Sequence, residues 1–176
     1  MKIHKPGGHL DQMMRQTRAH HVQLSVMGDL KANALMTIAA VLLTFSAAFV
    51  VREQFRPAVI VLMCSCLGTI LLATFAVMPG TPLQIRRKKS ADQPAGPGFN
   101  LLFFGSFAGM DYAQFSAAME ETMNDPSKTY EAMVREVYTL GVYLAHKKYR
   151  YLRLAYIVFT TGLFAAGATL LLVNVL

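Results

Sequence analysis

Uncharged runs punctuate this sequence three times, at 32–51, 58–78 and 154–176. Each reaches the ~20 predominantly apolar residues that cross a bilayer as a helix. Helices apolar all round for this length are rare in soluble cores. Pro79-Gly80 closes the second run, and the third continues to the last residue. The first begins behind a polar, charged segment, 1–31. That is too late for an ordinary cleaved secretory signal, so the run reads as a retained anchor. The pattern therefore predicts an all-α membrane protein with three transmembrane helices. Its parts are an N-terminal helix at 1–31, a hairpin at 32–78 with spans 32–51 and 58–78, a loop with helices at 79–153, and a last span at 154–176.

Between the runs the pattern stays helical. From Leu10, apolar or small residues recur at Met13, Thr17, Leu24, Met27 and Ala34, with His20 and Lys31 in the two remaining positions of the stripe. Gly28 is the one breaker before the first span, so a single helix is expected from about 9 to 51. A second such helix starts at Asp125-Pro126, where Asp suits the N-cap and Pro the first helical position. Tyr130, Val134, Val137, Gly141, Leu144 and Tyr151 carry its stripe, and Lys148 fills the gap. At ~1.5 Å per residue the two helices project about 35 Å and about 43 Å beyond the spans. Together they form a helical extension of matching length. A shorter helix is expected over 111–124, whose Asp111 and Gln114 resemble a capping box.

The stretch GFNLLFFGSFAGMDYAQF, 98–115, follows a Pro- and Gly-rich lead at 90–98 and fits neither class. Its apolar half is far too short to span. It must bury its side chains against the extension or the membrane surface. Two readings stay open: a plug at the base of the bundle, or a pocket wall and gate hinged at Gly105 and Gly109.

Charge orients the chain. It carries 17 Lys and Arg against 10 Asp and Glu, and only 15% of residues are charged, while 54% are hydrophobic. The connection REQFR holds two of the basic residues, Arg52 and Arg56; the other fifteen precede the first span or lie between 79 and 153. By the positive-inside rule the N-terminus and the extension are cytoplasmic and the C-terminus lies outside. The RRKK run at 86–89 is a topology signal beside anionic headgroups and requires no nucleic acid. Cys64 and Cys66, two apart in an apolar run, read as small apolar residues. Gly162, Ala166 and Gly167 offer the third span a small surface for close helix approach, and a homo-oligomer is expected from it.

In order, GDLKANALMTIAAVLLTF, a second span, NLLFFGSFA, an acidic short helix and YLRLAY running into a last span resemble the transmembrane effector family of Pycsar antiphage systems. The resemblance covers the chain from about His20 onward. It implies a bacterial inner-membrane protein. It implies a partner cyclase that makes a cyclic pyrimidine mononucleotide, cCMP or cUMP, on phage infection. It implies an effector that answers this signal by impairing the membrane, giving growth arrest or abortive infection. No Gly-rich β-roll of a separate cyclic-nucleotide-binding domain is visible.

A site for such a ligand needs a cation for the phosphate and a flat partner for the base. Lys31 stands nearest the bilayer edge, and Asp29 and Asn33 share a face at i, i+4. Asn100 has the groups to read a base edge, Phe103 or Phe104 to stack on it, and Gly105 to hinge the segment. The alternative is that Lys31 snorkels and that Asp29 and Asn33 bond between helices. No metal-ligand spacing is present. No nucleophile elbow, phosphate-binding Gly loop or HExxH occurs, so neither an enzyme nor a cofactor is expected. The spans carry no ionisable group of the kind a transporter uses. Two classes remain: a signal-gated membrane-impairing effector, and a membrane anchor that docks a soluble signalling enzyme.

Overall fold

In a computed structural model, residues 3, 7–78 and 99–175 are described. The basic run at 86–89 and the Pro-rich lead at 90–98 lie outside them. The described residues form helices and turns and no strand: α1 (Gly8–Ala47), α2 (Arg56–Val77), α3 (Phe104–Phe107), α4 (Tyr112–Met123), α5 (Pro126–Tyr143), a π-turn (Leu144–Lys148) and α6 (Tyr149–Val175). Gly8–Ala47, Arg56–Val77 and Pro126–Val173 are each long and apolar enough to cross a membrane. The chain divides into two compact units, Met1–Gln23 with Pro79–Tyr143, and Leu24–Met78 with Leu144–Leu176.

In the first unit, local capping sets the helix starts. The Asp111 carboxylate accepts from the Gln114 N–H at 3.0 Å, and that of Asp125 accepts from the Ser127 N–H at 2.8 Å. The beginning of α1 runs beside α5 and is fastened by side chains. The Tyr130 hydroxyl donates to Asp11 Oδ1 at 2.7 Å. Arg18 pairs with Glu136 at 3.1 Å, the Glu being nearly buried. His21 packs its ring on Gly141. The bond to Asp11, and burial after it, push the Tyr130 hydroxyl above the usual tyrosine pKa. A raised pKa means that the folded state favours the protonated phenol. That stabilisation is complete below the unfolded value near pH 10 and is lost as pH rises through the folded value. Unfolding of this unit followed between pH 8 and 12 should therefore show an alkaline loss of stability, and Tyr130→Phe should flatten it.

In the second unit, small residues bring the helices together. Ala32, Leu35, Ala73, Ala76, Leu152 and Ala155 form the core, and Met36, Leu72, Tyr149 and Phe159 pack around it. In a membrane, packing rather than water exclusion drives helix association, so small residues at the contact matter most. At Gly162 the backbone of α6 meets Ser65 of α2 so closely that any Cβ would overlap the serine side chain. Gly162 thus serves a contact inside the chain, and the expectation that it forms a subunit surface is corrected. Ala166 and Gly167 line an apolar groove of about 370 Å³ with Phe49, Phe55, Ala58 and Leu170.

Two stripes differ from the sequence pattern. On α1 the expected stripe holds in part: Leu10, Thr17 and Leu24 are half-buried, whereas Met13, His20, Met27, Lys31 and Ala34 are exposed and Gly28, Ala32, Leu35 and Ala39 are buried instead. The face selected is the one that admits a neighbour closely, one position round the helix from the more hydrophobic one. Beyond α5, the stripe passes from Leu144 and Lys148 to Leu152 and Ala155 rather than to Tyr151. The helix is not continuous α there: the π-turn widens it by a residue, and Tyr151 sits at the core margin against Phe75, with ring centroids 6.0 Å apart.

Candidate functional site

The first candidate cluster lies in the second unit. Lys148, at the end of the π-turn, is the one buried ionic side chain among the described residues. Its amine donates to Asp29 Oδ2 and to Ser25 Oγ, both at 2.7 Å. Ser25 and Asp29 are one turn apart on α1, so a single ammonium group meets both. Gly28 makes the approach possible: a Cβ there would lie 3.3 Å from Lys148 Cε. The next residue, Tyr149, donates its hydroxyl to the Leu24 carbonyl at 2.9 Å. Asp29 Oδ1 is buried and has no hydrogen-bond partner among the described residues. The pair thus joins a buried ammonium to a half-exposed carboxylate, one oxygen of which is unsatisfied.

The second cluster lies in the first unit and is built by the NLLFFG stretch. Asn100 is 2% exposed. Its Oδ1 accepts from the Leu102 N–H at 3.1 Å, and its carbonyl accepts from the Phe103 N–H at 3.1 Å, which folds the chain into a turn before α3. Its side-chain Nδ2 is buried and unpartnered among the described residues. Arg135 of α5 holds the turn by donating to the Phe99 carbonyl at 2.9 Å. Leu101 is buried, but Phe103 and Phe104 stack on each other at 4.9 Å and face outward, Phe104 being 70% exposed. The turn buries the first residues of the stretch and leaves its aromatic rings uncovered by the protein itself. A Cβ on Gly105 would lie 2.5 Å from Phe103 Cε1.

The residues singled out in the sequence thus fall in two separate clusters. Asp29 is paired in the first, whereas Lys31 and Asn33 are exposed. Asn100, Phe103, Phe104 and Gly105 make the second. The pattern missed Lys148, Ser25 and Arg135. The signal for Lys148 was present: a lysine in an apolar stripe, with a glycine on the facing helix to admit it.

Neither the comparison with curated proteins nor that with solved structures returns a match. The family comparison does: the Pycsar effector protein domain matches residues 12–174, taking in all three apolar helices and both clusters. This chain, a membrane protein of antiviral defence, therefore belongs to the transmembrane Pycsar effector family.

Proposed function

We propose that a cyclic pyrimidine mononucleotide activates this effector, and that the activated protein impairs the bacterial inner membrane and arrests the infected cell. The observation that carries the reading is the extent of the family match, which joins the spans and the polar helical unit in one domain. The N-terminus and the polar unit lie in the cytoplasm and the C-terminus in the periplasm, in keeping with the Lys and Arg asymmetry. The protein acts without catalysis and as a homo-oligomer. The Asn100 turn supports a signal site in the polar unit: a buried amide with an unused donor suits the edge of a pyrimidine, and the exposed Phe103 and Phe104 rings suit its face. Within the same unit, Arg135, which holds the Phe99 carbonyl, is the cation that the turn's own bonding offers the phosphate.

Co-expression with a pyrimidine nucleotide cyclase tests this. Cells carrying the active cyclase should lose membrane potential, read with a voltage-sensitive dye, and stop growing. Cells carrying an inactive cyclase should do neither. Arrest with both cyclases, or arrest at full potential, overturns the proposal. A second reading, an anchor that docks a soluble enzyme, is favoured by the exposed Phe104, Tyr112 and Tyr138 of the polar unit. It predicts co-purification of the cyclase with no change in potential.

A further inference from the structure

We propose that Lys148 and Asp29 form a latch that keeps the membrane unit closed, and that the π-turn is the element that moves when the latch opens. This rests on the reading that the protein impairs a membrane when it is activated. Four observations carry it. First, Lys148 is drawn in among helices whose other contacts are small and apolar, beside Gly28 and close in sequence to the core residue Leu152. Ionisable groups in such positions are costly, and apolar side chains would serve mere stability better.

Second, the pair is incomplete. Asp29 Oδ1 is buried without a partner, so the closed arrangement carries a desolvated oxygen that opening would return to water. Third, the π-turn has no local cause. Its sequence, Leu-Ala-His-Lys-Lys, holds no Pro or Gly and would form an ordinary α-turn. What keeps it wide is tertiary: buried Leu144, buried Lys148, and the Tyr149 bond to Leu24. Single π-turns recur at functional sites. Relaxation to α geometry would change the register of α6 by one residue, a rotation of about 100°. Released, the long lysine stem reaches the headgroup layer, where anionic lipid takes the place of Asp29. Fourth, Gly28 keeps open the space that the lysine stem occupies, so the closed state is built into α1 as well.

The full-length protein, purified and reconstituted in phosphatidylethanolamine–phosphatidylglycerol vesicles loaded with dye, tests the latch without any cyclase. The wild type should hold the dye. The double variant Asp29→Asn with Lys148→Met leaves no buried charge and should fold, yet should leak. An open state populated at ~0.1–10% allows at least a tenfold rise in leak rate when it becomes dominant. The charge exchange Asp29→Lys with Lys148→Asp should restore tightness. Gly28→Val, which crowds the lysine stem and removes no charge, should leak to an intermediate degree. Retained helicity by circular dichroism keeps the comparison among folded proteins, and if the double variant is unfolded Gly28→Val decides: a folded Gly28→Val as tight as wild type overturns the latch.

A folded variant without the pair that is as tight as wild type overturns the latch, as does a wild type that leaks as fast as the variant. Adding cyclic pyrimidine nucleotide to the wild type separates the two proposals. Leakage of the variant, with a wild type that stays tight with nucleotide, upholds the latch and refutes the signal. Leakage of wild type with nucleotide, and a tight variant, does the reverse. Tightness in every arm overturns the latch.

Discussion

Gly162→Leu should all but abolish folded protein in the membrane, whereas Gly162→Ala combined with Ser65→Gly should accumulate well. A Cβ on Gly162 would overlap both Cβ and Oγ of Ser65, and parting the two helices there would strain the core they share through Ala73, Ala76, Leu152 and Ala155. Overpacking by a single carbon typically costs 1–3 kcal/mol, and a leucine cannot be placed there without separating the helices. In the double variant the nearest Ser65 atom is Cα, at 3.5 Å, an ordinary contact. The Ser65 hydroxyl donates to the Leu62 carbonyl of its own helix, so removing it strands no group of another helix, and the remaining cost is about 1 kcal/mol for glycine within a helix. Fluorescence-detected size exclusion and thermal melting in mild detergent read both outcomes. Equal yields of Gly162→Leu and wild type would show that the two backbones are not in contact.

Asp29→Ala should be the most damaging charge removal in the protein. It leaves the Lys148 ammonium, whose side chain is 7% exposed, with Ser25 alone. Removing one partner of a fully buried ion pair costs ~3–5 kcal/mol. Because Asp29 is 37% exposed, water screens part of the pairing, and the loss here should fall toward or below the lower end of that range. Adding Lys148→Met should recover most of that loss. A double-mutant cycle on the melting midpoints measures the coupling directly. Losses that simply add would mean that the lysine escapes to water. The exposed Lys128–Glu121 pair should respond quite differently, with a change near zero when either side is removed.

Much of this architecture was readable before any coordinates, because bilayer thickness dictates the length of an uncharged run. The three spans, the capped start at Asp111 and the Asp125-Pro126 helix start follow from local rules that nothing in the fold overrides. The stripe of α1 was not readable in the same way. Hydrophobic periodicity finds the greasiest face, which water would bury but lipid leaves exposed. The buried face, through Gly28, Ala32 and Ala39, is chosen for smallness. The π-turn was invisible because its sequence is that of any helix. Lys148 was legible only as an exception in a stripe, and its meaning depended on facing Ser25 and Asp29, more than a hundred residues away. NLLFFG announced burial by composition. Asn100 instead folds it into a turn whose aromatic half faces out.

The hydroxyls of the spans bear on how the bundle is made. Thr37, Thr44, Ser46, Ser65, Thr69, Thr74, Thr160, Thr161 and Thr169 each donate to a carbonyl of their own helix. None of them needs a neighbour to be satisfied in lipid. During synthesis the first two spans reach the bilayer well before the third has been translated, so α2 must wait with the surface around Ser65 and Thr69 uncovered. Self-satisfied hydroxyls make that wait harmless: the half-made hairpin exposes no unpaired hydroxyl that would recruit a wrong partner. The ionic bond between α1 and the π-turn is different. Asp29 has no ionic partner until Lys148, just ahead of the third span, has been translated, so that bond can form only as the last span follows it.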